Sequence, residues 1–133
     1  YLPGDAPTTG EDGLCINYTA FGTTGTAVSP FNLGRTATHE IGHYFGLDHP
    51  WGDGSCNGDD GVADTPATYQ EYYNCPSFPA NTYACTSSTN GSMFMNYMDY
   101  VDDAAMFMFS AGQKDRIQAT VASAGPRAGL RTY

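Results

Sequence analysis

The sequence predicts a single α+β domain made of two helices, one short strand and a long irregular segment. Apolar residues recur every four positions between residues 32 and 47, which is the period of a helix. The pattern Ser110-Ala-Gly-Gln113 is a capping box and predicts the start of a second helix. The short apolar run Leu14–Tyr18 is typical of a strand.

The first helix is expected to begin after Asn32 and to end near Leu47. Gly46 predicts its end, because glycine readily takes the left-handed conformation that stops a helix. The four-residue period predicts one buried stripe along this helix, formed by Leu33, Ala37, Ile41 and Phe45.

The second helix is expected to run from the capping box to about Ala122, with Ile117 and Val121 on one face. Between the helices, residues 50–90 show no period and are rich in Gly, Asp, Pro and Asn. Such a composition indicates irregular backbone held together by cross-links or ions. All five methionines lie between Met93 and Met108, and at this density they are expected to fill the core.

The charge of the chain excludes some classes of partner. Its formal net charge is −9 and 11 of its 14 acidic residues are Asp, whereas nucleic acids and anionic membranes require a basic surface. No apolar stretch reaches the roughly 20 residues of a transmembrane helix. The four cysteines form no C-x-x-C pair, so disulfides in a secreted protein fit better than a four-cysteine zinc site.

The three histidines of the chain all lie in one segment, His39-Glu40-Ile41-Gly42-His43-Tyr44-Phe45-Gly46-Leu47-Asp48-His49. Histidines at i and i+4 project from one face of a helix and can bind one ion. Gly46 then breaks the helix, so that His49 can approach from another direction as a third ligand. Three protein ligands leave one tetrahedral position open, which is typical of catalytic zinc. Glu40 can reach water at that position.

A four-residue H-E-x-x-H match can arise by chance in any helix. The extended pattern, with a glycine and a third histidine in a chain that has no others, favours a zinc site strongly.

Three further segments narrow the interpretation. Asn96–Tyr100 looks like a Met-turn, Cys56–Pro66 follows the zinc motif, and Met106–Arg116 follows the Met-turn. Together with the zinc motif, they resemble the metzincin metallopeptidases of the pappalysin family, and specifically its ulilysin-like bacterial branch. The resemblance extends from about Leu14 to Val121.

The resemblance implies a role for each matching residue. His39, His43 and His49 are expected to bind zinc, and Glu40 to act as general base and then general acid. Met98 is expected to form a hydrophobic floor under the ligands, and Tyr100 to stabilise the tetrahedral intermediate. The resemblance also places the strand Leu14–Tyr18 at the cleft rim, where its edge would pair with an extended substrate.

The resemblance also predicts the organisation of the domain. Residues 1–133 are expected to form one metallopeptidase catalytic domain. Residues 1–49 would be a remnant of the upper subdomain with the active-site helix, and residues 50–133 the lower subdomain with the Met-turn. Only 38 residues precede His39, so the N-terminal part of the family's domain is expected to be absent or much reduced.

Two positions depart from the family's pattern. Ala105 stands where the family usually has a cysteine, and Ala104 stands where members that favour Arg or Lys after the scissile bond have Asp. The second departure predicts a smaller and more apolar primed-side pocket. The resemblance implies the disulfide Cys56–Cys85, and we hypothesise Cys15–Cys75 as a compensating one. Four cysteines allow three pairings.

The resemblance further implies a structural calcium ion. The candidate ligands are carboxylates in a Gly-rich loop and one backbone carbonyl, from Asp53, Asp59, Asp60, Val62 and Asp64. The alternative is an acidic loop that is simply solvated.

The sequence therefore predicts a secreted, monomeric zinc endopeptidase that acts on proteins or peptides, with no nucleic-acid or membrane partner. The main alternative is a catalytically impaired zinc-binding or protein-binding fragment of such a peptidase. A zinc hydrolase acting on another substrate class is a weaker alternative.

Overall fold

The computed structural model describes residues 1–132 and contains two α-helices, α1 (Arg35–Tyr44) and α2 (Ala111–Thr120). Three short 3₁₀ helices span Tyr18–Ala20, Asp103–Ala105 and Ala128–Thr132. Strand pairing within these residues is limited to two isolated bridges, Thr68 with Ala84 and Asn96 with Met108. The fold therefore stays in the predicted α+β class, but its β structure is reduced to these two bridges. No helix in the described part of the chain is long and apolar enough to cross a membrane.

The strand predicted at Leu14–Tyr18 is wrong. Residues 14–17 have no regular structure and Tyr18 begins a 3₁₀ helix. Asn17 caps this helix, because its side-chain oxygen accepts hydrogen bonds from the backbone N–H and the hydroxyl of Thr19, at 3.0 and 2.9 Å. A local side-chain bond of this kind competes with strand pairing.

Helix α1 begins at Arg35, later than the predicted start after Asn32. Gly34 precedes it with φ of 79°, and Asp103, far along the chain, provides the acceptor at this end of the helix. One carboxylate oxygen of Asp103 accepts the N–H groups of Leu33 at 2.7 Å and Arg35 at 3.2 Å. The predicted stop at Gly46 is confirmed, because Gly46 has φ of +86°.

The buried stripe predicted for α1 is wrong. The buried residues of the helix are His39 and Gly42, whereas Ile41 is 42% exposed. Leu33 is exposed, and Ala37 and Phe45 are half-buried. The physical reason is that Gly42 faces Met98 and Phe109 and that His39 bonds to the carbonyl of Tyr97, so α1 packs on this segment through its histidine side and Ile41 lies on the other side.

The hydrophobic core lies in the second half of the chain. Its buried cluster consists of Tyr72, Ala80, Phe94, Val101, Ala105 and Met106. Every methionine is buried or half-buried, which confirms their expected role as core residues. Among the described residues before position 50, Leu47 is the only hydrophobic residue whose side chain is buried. The division of the domain at residue 49 stays a prediction.

The capping box at α2 is confirmed, although the helix ends at Thr120 rather than near Ala122. The hydroxyl of Ser110 accepts the N–H of Gln113 at 3.0 Å, and Gln113 accepts the N–H of Ser110 at 2.9 Å. The amide of Gln113 also pairs with that of Asn96, through bonds of 2.7 and 3.1 Å. Both amides are fully buried, so this pair fixes α2 to the segment that precedes Met98.

The structure contains the disulfide Cys56–Cys85. It connects two parts of the irregular segment. The hypothesised Cys15–Cys75 disulfide is wrong, because both thiols are free and exposed. Cys75 instead lies near Asp102, with its sulfur 3.8 Å from a carboxylate oxygen.

Candidate metal centre

The three histidines converge on one point. The Nε2 atom of His43 lies 3.0 Å from that of His39 and 3.0 Å from that of His49, and the third distance is 3.3 Å. Nitrogen ligands that lie 2.0–2.1 Å from zinc at the corners of a tetrahedron are about 3.3–3.4 Å apart. The triad therefore fits a zinc ion. Within residues 1–132, no other group of three His, Cys, Asp or Glu side chains converges in this way.

Backbone carbonyls orient two of the three rings. The Nδ1 atom of His39 lies 2.7 Å from the carbonyl oxygen of Tyr97, and the Nδ1 atom of His43 lies 2.8 Å from that of Leu47. A carbonyl oxygen can only accept a hydrogen bond, so each Nδ1 carries the proton. The Nε2 lone pair of each ring is then free for a metal, as is usual in histidine-ligated sites.

The third ring reaches the site through the turn that ends α1. The N–H of Leu47 bonds to the carbonyl of Gly42 at 3.0 Å, which folds the chain back beside the helix. His49 then stacks on the indole of Trp51, with ring centroids 4.3 Å apart and planes inclined by 8°. The sequence motif had predicted the approach of His49 but not the contact with Trp51.

Burial keeps two of the three imidazoles neutral. Desolvation, followed by the charge of His43, lowers the pKa of His39 to about 4. The same causes, with an added contribution from His39, lower the pKa of His49 to about 3. Both imidazoles are therefore unprotonated at neutral pH and available as ligands.

Glu40 and Tyr100 lie beside the triad. Glu40 is half-buried and lines a cavity of about 210 Å³ together with His39 and Tyr100. The ring of Tyr100 lies 5.5 Å from that of His39 and 4.9 Å from that of His49. Burial, and then the negative charge of Glu40, raises the pKa of Tyr100, so its phenol stays protonated and can donate a hydrogen bond.

Met98 lies directly against α1. Its side chain is fully buried, and a Cβ atom on Gly42 would overlap with the Met98 sulfur. The N–H of Met98 bonds to the side chain of Asn96 at 2.9 Å, so the amide pair described above also fixes this turn. The residues predicted as a Met-turn thus pack on the helix that carries two of the histidines.

The carboxylates of Asp99 and Asp103 also line the cavity beside Glu40, and both accept hydrogen bonds from backbone N–H groups. Asp103 holds the start of α1. Asp99 accepts the N–H groups of Tyr72 and Tyr100 at 2.9 and 2.7 Å. Burial nevertheless raises the pKa of Asp99 to about 7. Phe31, Val101 and Met106 supply apolar lining. The cavity is thus more apolar than its two aspartates suggest.

The predicted calcium ligands are dispersed along their loop. Each carboxylate accepts hydrogen bonds from nearby groups: Asp53 from Ser55, Asp59 from Gly61, Asp60 from Val62 and Thr65, and Asp64 from Ser110 and Gly112. The carbonyl of Val62 accepts the hydroxyl of Thr65 at 2.7 Å. Burial raises the pKa of Asp60, whereas the hydrogen bond from Ser110 lowers that of Asp64.

The sequence interpretation missed two residues at the site. They are Trp51, which stacks on a histidine, and Asp99, which lines the cavity together with Asp103. Only Trp51 carried a usable signal, because it is the single tryptophan of the chain and lies two positions after His49. The aspartates reach the site through tertiary packing.

The fold around α1 and its histidine triad define a metzincin-type metallopeptidase domain. Residues 9–122 match the Peptidase M43 family, described as pregnancy-associated plasma protein-A. The chain therefore belongs to this family, the pappalysins. The structure of mature mirolysin from Tannerella forsythia, in complex with a cleaved peptide, superposes with a TM-score of 0.83 and 47% identity, covering 89% of this chain and 44% of mirolysin. This similarity agrees with the ulilysin-like branch.

Curated relatives give the same family. An extracellular metalloprotease of Pyricularia oryzae is 40% identical over 92% of this chain and 42% of its own length. One of Podospora anserina is 39% identical over 82% of this chain and 36% of its own length. The chain thus spans about two fifths of the length of the curated relatives it matches.

We expect the metal-free chain to lose stability as the pH falls below about 6.5. The unfolded histidines take up protons near that pH, whereas folded His39 and His49 do so only near pH 4 and pH 3. The two histidines therefore make the unfolded state bind more protons below pH 6.5, which lowers the free energy of unfolding. Asp99, with a folded pKa of about 7, acts in the opposite direction and offsets only part of this fall. Urea unfolding with a chelator at about pH 7.5 and about pH 5 measures this fall.

The matched control is His49→Gln, which removes one of the titrating groups. The fall in stability between the two pH values should be smaller in this variant. Equal falls in the variant and the wild-type chain would contradict the assignment to the buried imidazoles.

Proposed function

We propose that this chain carries the catalytic centre of a secreted zinc-dependent endopeptidase. The observation that supports the proposal best is the convergence of three Nε2 atoms at spacings that fit tetrahedral zinc, with Glu40 beside the first ligand. A zinc ion held by His39, His43 and His49 would supply a Lewis acid that polarises a peptide carbonyl and lowers the pKa of water.

The chain's own residues would provide the proton transfers. Glu40 would accept a proton from the attacking water and return it to the leaving amine. Tyr100 would donate its phenol proton in a hydrogen bond to the developing oxyanion, and its raised pKa supports this role. Met98 would pack against α1 at Gly42 and take no part in proton transfer.

The relatives support a secreted location and peptide substrates, since those described above are extracellular metalloproteases. We propose protein or peptide substrates and a monomeric domain for this chain as well. The alternative, an impaired zinc-binding fragment, differs in one respect that can be measured. It would bind zinc without cleaving peptides.

We expect Glu40→Ala to lower kcat/KM for casein or a peptide by about 100-fold or more, because the variant lacks the general base. Zinc content should stay unchanged, since Glu40 is not a ligand. Glu11→Ala, at an exposed position, is the control and should keep full activity. Chelation should abolish cleavage by the wild-type chain.

Each other outcome has a clear meaning. Full activity of Glu40→Ala would show that the mechanism is wrong. A wild-type chain that binds zinc but cleaves no peptide would favour the impaired fragment, and cleavage restricted to non-peptide substrates would favour another class of zinc hydrolase.

We also propose that the cavity beside Glu40 accepts the residue after the scissile bond and that it favours apolar side chains. Asp103 and Asp99 are occupied by backbone N–H groups, and the raised pKa of Asp99 leaves it partly uncharged near neutral pH. One oxygen of each carboxylate is therefore already engaged within the protein, which weakens the attraction of the cavity for a cationic side chain. The Ala104 position offers no replacement.

Cleavage of a peptide library should show Leu, Ile or Met after the scissile bond. Phe31→Ala widens the cavity and should shift the preference toward larger apolar residues, because Phe31 lines it. Phe21→Ala, an exposed change outside the cavity, should leave the profile unchanged. A strict preference for Arg in the wild-type chain would contradict this proposal.

A structural calcium ion in the loop of residues 53–64 is a separate proposal. Its support is the density of short carboxylates around glycine turns, for example at Gly61 with φ of +68°. Millimolar calcium should raise the unfolding temperature of the wild-type chain, and Asp53→Asn should reduce this rise. The absence of any shift would favour a solvated acidic loop.

A further inference from the structure

The three histidines of the site are held in two different ways. The rings of His39 and His43 each donate Nδ1–H to a backbone carbonyl. Among residues 1–132, no such acceptor meets the Nδ1 atom of His49, whose ring nitrogen contacts are those of Nε2 with the other two histidines. Metal-bound histidines usually need a partner on the second nitrogen to fix the ring plane. Ring stacking is the protein contact that can fix the plane of His49.

The indole of Trp51 makes that contact. The two rings lie nearly parallel, inclined by 8°, at a centroid distance of 4.3 Å. A face-to-face contact of this kind opposes rotation of the imidazole about the Cβ–Cγ bond of His49, because this rotation would push the edge of the ring into the indole. The direction of the His49 Nε2 atom toward His39 and His43 then depends on the position of Trp51.

The backbone fixes Trp51 in turn. The N–H of Gly52 bonds to the carbonyl of His49 at 2.9 Å, and the N–H of Gly54 bonds to the carbonyl of Trp51 at 2.8 Å. Gly52 has φ of +50°, and a Cβ atom there would lie 2.7 Å from the carbonyl oxygen of Asp59. These turns, packed on the backbone of the next loop, direct the indole back over His49.

The same indole also meets Tyr100. Its ring lies 4.9 Å from that of Tyr100 at an angle of 68°, an edge-to-face arrangement. One half-buried side chain therefore contacts both a proposed zinc ligand and the proposed oxyanion donor.

We propose that Trp51 is a positioning residue that orients His49 for zinc by ring stacking, in place of the usual hydrogen bond to Nδ1. The inference rests on the proposed zinc site. In this role Trp51 contacts neither the zinc ion nor the substrate. It acts through its contacts with His49 and Tyr100.

The test compares two replacements of similar bulk in the full 133-residue chain. Trp51→Phe keeps a flat ring over His49, whereas Trp51→Leu keeps apolar volume without one. Zinc affinity, measured by competition with a chromophoric chelator, should fall about tenfold or more in Trp51→Leu. Trp51→Phe should remain within about threefold of the wild-type chain, and the exposed Phe21→Ala serves as control.

A second measurement needs no substitution at Trp51. Because Trp51 is the only tryptophan, its fluorescence reports on this position alone. Zinc added to the wild-type chain should change the emission, and His49→Ala should abolish the change. Unfolding temperatures of the metal-free variants show whether each protein is folded before its affinity is compared.

The outcomes separate this inference from the proposed function. A wild-type chain that binds no zinc would contradict the zinc site itself. Wild-type zinc binding with equal affinity in Trp51→Leu would overturn the role of Trp51, and so would a Trp51→Phe chain as weak as Trp51→Leu. A zinc titration that leaves the wild-type fluorescence unchanged would also count against it.

Discussion

Helix α1 rests on the turn at residues 96–100, and the arrangement of the histidine triad depends on this contact. At Gly42 the helix has no side chain, so the sulfur of Met98 packs directly on its backbone. One residue earlier in the turn, the carbonyl of Tyr97 accepts the Nδ1 proton of His39. The contact that positions the helix thus also sets the tautomer and direction of its first histidine. A shift of the turn would displace both together.

The turn is itself fixed from the opposite side by α2. Asn96 uses its side-chain amide to hold the N–H of Met98 and to pair with Gln113, and both amides are fully buried. Gln113 at the same time completes the capping box with Ser110. A sheet is nearly absent from the described residues, so side-chain to backbone bonds and the Cys56–Cys85 disulfide take over the task of fixing the irregular segment.

The convergence of the three imidazoles carries an energetic cost that a bound cation would offset. Three imidazoles lie with their Nε2 atoms within 3.3 Å of one another, and burial disfavours protonation of His39 and His49. Groups of this kind lower the stability of the free chain at low pH, because the unfolded state takes up their protons first. A metal that binds only the folded state adds stability by mass action, so that folding and metal binding are linked.

The sequence by itself determined the features that depend on short-range spacing. The segment His39–His49, the stop at Gly46 and the capping box at Ser110 follow from the helical repeat, from glycine's backbone freedom and from side-chain bonds between near neighbours, all of which are local in sequence. Tertiary structure alone decided which side of α1 is buried and what holds its ends. The apolar period pointed to Ile41, yet the helix packs through its histidine side, and its start is held by Asp103 from about 70 positions away along the chain. Periodicity identifies a helix but not its partner, because the surface that covers it is assembled from residues that are distant in sequence.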